Sequence, residues 1–181
     1  MVVDIFNTEK KYNIIYADPP WQYNDKSCSG NAQKHYNTMK LNEICNLPIA
    51  SIADKDCVLF LWSTYPMLQE SMRVIESWGF LYKTLGFQWI KRNRKSNGYF
   101  FGIGRWTRSN TEACLLATKG KPQKFKVNNG ISQLIDCSIG KHSSKPPVVR
   151  DKIVELLGDR PRIELFAREQ CNGWDCWGNE V

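Results

Sequence analysis

The chain has 181 residues, 42% apolar and 24% charged, which fits one folded domain and excludes a disordered chain, a collagen-like repeat and a long coiled coil. Lys and Arg outnumber Asp and Glu by 25 to 18, a formal charge of +7, and there are 7 tryptophans, a pairing that suits a nucleic-acid or nucleotide partner. No apolar run approaches the roughly 18 residues of a membrane span, and the N-terminus lacks the basic start and apolar core of a signal peptide.

In chain order, Tyr12 to Ala17 is a short apolar, β-rich run that stops at Asp18-Pro19-Pro20, because two prolines cannot continue a central strand. A polar stretch follows to about Lys40. Cys57 to Trp62 reads as a second buried strand. Pro66 then opens a helix with Leu68, Met72 and Ile75 on one face and Gly79 as its stop. Leu81 to Ile90 is β-like, and Lys91 to Arg108 reads as a long, basic, glycine-containing loop. Ala113 to Thr118 is a third buried strand. Pro146 or Pro147 starts a helix carrying Val149, Ile153, Leu156 and Leu157, and Arg162 to Phe166 is a fourth buried strand before a glycine- and tryptophan-rich tail. Wholly apolar strands alternating with amphipathic helices predict a single α/β domain over residues 1–181, a mostly parallel sheet with helices on both faces. In such sheets ligands sit at the carboxyl ends of the strands, where Asp18 to Trp21 and the residues from Arg168 onward fall.

The seven cysteines are odd in number, with no C-x-x-C pair and only His35 and His142 to complete a metal site. Reduced core thiols, no metal and a cytoplasmic location are expected.

Asp18-Pro19-Pro20-Trp21 is the segment with chemical content. One reading is a rigid turn with an Asp cap and a core tryptophan. The other concerns an exocyclic amine on a nucleobase, a poor nucleophile because its lone pair is delocalised into the ring. Acceptors at its N–H groups favour a pyramidal nitrogen and stabilise the charge that develops during attack. Asp18 supplies a carboxylate, Pro19 a carbonyl, and Trp21 a surface for the base, which must be flipped out or already single-stranded.

With this motif stand His35-Tyr36-Asn37-Thr38-Met39, Leu59-Phe60-Leu61-Trp62, Gly104-Arg105-Trp106 with Asn110 and Glu112, His142-Ser143-Ser144-Lys145-Pro146, Glu164-Leu165-Phe166-Ala167-Arg168, and Gly173 to Glu180. In this order, over essentially the whole chain, they resemble the DPPW-type adenine-N6 methyltransferases, the family of the seventy-kilodalton catalytic subunit of eukaryotic mRNA N6-adenosine methyltransferase, in a small bacterial or phage form. The resemblance implies a Rossmann-like fold and methyl transfer from S-adenosylmethionine to adenine N6, leaving S-adenosylhomocysteine. Asp18, Pro19, Pro20 and Trp21 would hold the target base. Asp4, Ile5, Asp18, Lys145, Glu164, Phe166, Arg168, Asn172, Asn179 and Glu180 would serve the cofactor, with Lys145 on its methionine carboxylate and Glu164 near its ribose. His35 and Tyr36 would flank the pocket. The chain departs from the eukaryotic member after Arg168, where Gln170, Cys171 and Asn172 replace a His and Asn, so which of the three meets the ribose stays open.

Residues 77–135 hold 11 Lys and Arg and a single acid, Glu112. Lys91, Arg92, Arg94, Lys95, Arg105, Trp106 and Arg108 are therefore the expected target-strand contacts, in a loop at about 91–110. A bare catalytic domain without cysteine/histidine fingers favours DNA as the substrate. RNA is the alternative, as is an inactive nucleic-acid-binding subunit, which the intact acidic motif argues against. Monomer and homodimer are both compatible with the sequence.

Overall fold

The computed structural model describes residues 1–23, 38–104, 106–140 and 144–181. Seven strands form one sheet in the order β5-β3-β4-β2-β1-β6-β7. They are β1 (Tyr12–Ala17), β2 (Ala53–Ser63), β3 (Leu81–Arg92), β4 (Thr111–Lys119), β5 (Leu134–Ser138), β6 (Arg162–Leu165) and β7 (Asp175–Trp177). β1 pairs parallel with β2 and β6, β6 with β7, and β3 with β5, whereas β4 is antiparallel to both β2 and β3. Six strands thus point one way and β4 alone is reversed. The mostly parallel α/β sheet read from the sequence is what the chain forms.

Alternate residues of each strand feed opposite faces. On one face Ile15 and Ala17 of β1 pack with Leu59 and Leu61 of β2, under α1 (Leu41–Cys45), α2 (Ile49–Ile52) and α3 (Leu68–Ser77). On the other, Ile14, Tyr16, Val58, Phe60 and Trp62 pack against Val149, Ile153 and Leu157 of α4 (Val148–Leu157). A Pro66-containing 3₁₀ turn leads into α3, and α4 follows Pro146-Pro147.

Several expectations change. β3 runs on to Arg92, so Lys91 and Arg92 are strand residues and the excursion begins at Asn93. β5 and β7 are strands where the sequence suggested none, and both are short edge elements with few apolar residues. Trp62, Trp78 and Trp89 are core, as expected. Trp21 and Trp174, expected in motif loops, are buried too. The Trp21 indole N–H donates to the carbonyl of Trp62 at 3.3 Å, and Trp174 packs on Tyr16 beneath Arg162.

Candidate active site

The carboxyl end of β1 delivers Asp18. The chain then folds sharply, with the Trp21 N–H donating to the Pro19 carbonyl (2.9 Å) across a three-residue turn centred on Pro20. The Met39 N–H donates to the Pro20 carbonyl at 2.9 Å and fixes the far side of the turn. One lone pair of the Pro19 oxygen is thereby used by the turn and the other is left for a ligand. A cleft opens here, floored by Trp62 and walled by Asp18 to Trp21, Tyr23, Ser63, Thr64, Glu112, Lys145 and Arg168. The Tyr23 and Thr64 hydroxyls lie 2.7 Å apart on its wall.

Glu112 arrives because β4 is reversed. Its amino end, rather than its carboxyl end, lies beside the end of β2, in a register that sets Ala113 against Ser63. The carboxylate is 7% exposed and is shared between Lys91, 2.5 Å away, and Lys145, 3.4 Å away. Lys145 also reaches both oxygens of Asp18 at 2.8 Å and lies 5.6 Å from the centre of the Trp62 ring. Two carboxylates and two ammoniums form a chain, Asp18–Lys145–Glu112–Lys91, whose formal charges cancel. Burial pushes the Asp18 carboxyl above its ordinary range, against the pull of Lys145. Burial acts the same way on Glu112, but the ammoniums of Lys145 and Lys91 outweigh it and hold that carboxyl low. Burial would lower the Lys145 ammonium, and Asp18 and Glu112 more than reverse this. Attraction to nearby cations thus wins at Glu112 and loses to burial at Asp18.

The expected cofactor residues are dispersed around the carboxyl ends of β1, β6 and β7. Asp18, Lys145 and Arg168 line the cleft. Glu164 does not line it. It is 8% exposed, and both its oxygens are taken by Arg150 of α4, at 2.7 and 3.1 Å. Ile5 is core, while the Asp4 carboxylate caps its own turn through the N–H of Phe6. Phe166 follows β6 with φ of 60°, and its ring meets Trp177 edge-on at 5.4 Å, as the Phe6 ring does at 6.2 Å. Asn172, Asn179 and Glu180 are exposed, with Glu180 reaching toward Arg168 at 3.7 Å.

The expected strand contacts divide. Lys91 is committed to Glu112, and Arg92 to Asp136 through two 2.6 Å contacts. Arg94, Lys95, Trp106 and Arg108 are exposed on the excursion. His35, Tyr36 and Arg105 lie outside the described residues. The rest of the basic segment is not on this face. Lys119 and Lys124, at the other end of β4, bond to the Ala50 and Ala53 carbonyls and to Asp56. Sequence reasoning did not single out Tyr23, Thr64 or Arg150. Glu112 carried two signals, its place in the family-like block with Trp106 and Asn110 and its isolation as the sole acid in a basic segment.

The MT-A70 family model matches residues 12–180, nearly the whole chain. The chain belongs to the MT-A70 family. Among its relatives, the type II methyltransferase M.MunI of Mycoplasma sp is 39% identical over 95% of this chain and 78% of its own length. Human METTL3, an N(6)-adenosine-methyltransferase catalytic subunit, is 30% identical over 94% of this chain, which spans 28% of METTL3. Human METTL4, an N(6)-adenine-specific methyltransferase, is 26% identical over 98% of this chain and 39% of its own length.

MT-A70 membership implies S-adenosylmethionine, and the residues present fit it. A zwitterionic amino-acid tail needs an anion beside a cation, which Asp18, Lys145 and Arg168 provide in one cleft. The Phe6–Trp177–Phe166 ring group, outside the cleft lining, would offer an apolar surface to the nucleoside. Gly178 closes the loop between them. A Cβ there would strike the Ala167 backbone, and the Ala167 N–H donates to the Trp177 carbonyl at 2.9 Å. Among the described residues, no His, Cys, Asp or Glu group is placed to hold a metal, and no helix is long and apolar enough to cross a membrane.

Proposed function

We propose that this chain transfers the methyl group of S-adenosylmethionine to the N6 amine of adenine in DNA. The observation that carries the reading is the Asp18-Pro19-Pro20-Trp21 turn opening on a charge-balanced cleft in an MT-A70 chain. Bound S-adenosylmethionine supplies the electrophilic methyl. Asp18 and the spare lone pair of Pro19 accept from the amine, orient it and stabilise the positive charge that grows on nitrogen. The proton lost from N6 leaves after attack, so no strong base is needed beforehand. Lys145 holds Asp18 as a carboxylate, Glu112 holds Lys145, and Trp62 and Tyr23 wall off water. The target strand lies along the exposed Arg94, Lys95 and Arg108.

DNA is favoured by the identity to a type II methyltransferase. RNA is the second reading, favoured by relatives named adenosine and RNA methyltransferases. Tritiated S-adenosylmethionine offered with duplex DNA, denatured DNA and RNA, followed by nucleoside analysis, separates them. N6-methyladenine in DNA is expected, and its absence from Asp18→Ala reactions. Label only in RNA would move the substrate, and label in no polymer would remove the reading.

A further inference from the structure

The excursion between β3 and β4 is a built hairpin. The Phe100 N–H donates to the Lys91 carbonyl and the Gly102 N–H to Ser109, each at 2.8 Å, and the Lys91 N–H donates to Asn110 at 2.9 Å. Its second arm closes so tightly that a Cβ on Gly102 would lie 2.5 Å from the Ser109 oxygen, and one on Gly104 would overlap the Thr107 carbonyl. At its root Arg92 stacks 4.1 Å over Tyr99 while held by Asp136, which fixes where the arms leave the sheet.

This scaffold holds apolar side chains out in water. Phe101 is 66% exposed, Ile103 64% and Trp106 99%. An indole so fully exposed gains nothing for folding, and the tight hairpin spends backbone freedom to present it. The arm bearing it runs straight into Thr111 and Glu112, so Trp106 projects from the same strand end that lines the cleft. The exposed cations of the same excursion, Arg94, Lys95 and Arg108, match a phosphate backbone and not an apolar protein face.

We propose that Trp106 is a wedge that enters the base stack of duplex DNA and fills the gap left when the target adenine swings into the cleft. The inference rests on the adenine-methylation reading and adds the form of the substrate. A paired base cannot reach Asp18, and extruding it costs stacking and pairing. A flat aromatic side chain recovers the stacking and blocks the base's return. On a single strand the gap does not exist, so the wedge is needed only on duplex.

The test is the ratio of methyl transfer on one DNA preparation offered as duplex and after heat denaturation. In Trp106→Ala the duplex-to-denatured ratio is expected to fall about tenfold, and in Trp106→Phe, which keeps a stacking ring, to stay within about twofold of wild type. An unchanged ratio in Trp106→Ala, or an equal loss in both variants, overturns the wedge. Wild type active only on denatured DNA overturns it while leaving adenine methylation intact. Wild type that labels no DNA removes both.

Discussion

Lys145 stands 2.8 Å from both carboxylate oxygens of Asp18, so the acceptor proposed for the target amine is already gripped by a cation before any base arrives. A carboxylate has about four lone-pair sites, so Lys145 and an amine can share it. The second anion, Glu112, lets Lys145 lean away without losing its own partner.

This arrangement sets a pH limb. Asp18 accepts only when ionised, and burial raises its pKa above the ordinary aspartate value of about 3.9. kcat/KM should therefore be lost on acidification as Asp18 protonates, at a pH above the ordinary aspartate range. Asp18→Asn should lose about a hundredfold or more in rate and show no such limb. A pH–rate profile of both proteins decides it, and a limb that survives in Asp18→Asn assigns the titration elsewhere.

Lys145→Met leaves the half-buried Asp18 and the buried Glu112 without their shared cation, while Glu112 keeps a partner in Lys91. The acid limb should then move to higher pH, since the charge that lowered the Asp18 pKa is gone. Stability should drop by about 3 kcal/mol, read as the denaturation midpoint in urea. A limb at the wild-type position would mean that Lys145 does not govern Asp18.

Binding to DNA should separate the paired cations from the unpaired ones. Removing Arg94, Lys95 or Arg108 should each reduce the slope of log K against log salt by about 0.9. Arg92→Gln should leave the slope unchanged, because Asp136 already neutralises that guanidinium. Titrations at several salt concentrations give the slopes, and a lowered slope in Arg92→Gln would put that residue on the polymer.

Gly178→Ala should destabilise by about 1–3 kcal/mol, since the new methyl meets the Ala167 backbone where β6 and β7 are joined. S-adenosylmethionine binding, measured by calorimetry, should weaken with it. Wild-type affinity in a folded variant would detach this crossing from the cofactor.

Four central strands, both longer helices and the Asp18 turn were legible, because burial on both faces writes continuous apolar runs and prolines mark where they stop. β5 and β7 were not. A five-residue and a three-residue edge strand carry too little apolar sequence to stand out. The reversal of β4 was not legible, because the long excursion from Asn93 to Asn110 would equally have allowed a parallel crossover. Without that reversal Glu112 could not be placed in the cleft, although it stood out as a lone acid and within the block around Trp106. Trp21 and Trp174 stand in the motif segments where the sequence put them, yet both indoles turn back into the core. The basic segment misled. Its charge is contiguous along the chain, yet β4 carries it from one end of the sheet to the other.

The reversed strand has one more consequence. Because β3 ends and β4 begins at the same rim, everything between them is an insert bounded by two fixed points, and no core residue depends on its length. The part proposed to touch the polymer could be lengthened, shortened or exchanged as a cassette while the groups around Asp18 stay in register. If the proposed strand contacts hold, a new target sequence could be acquired in this architecture without rebuilding the chemistry.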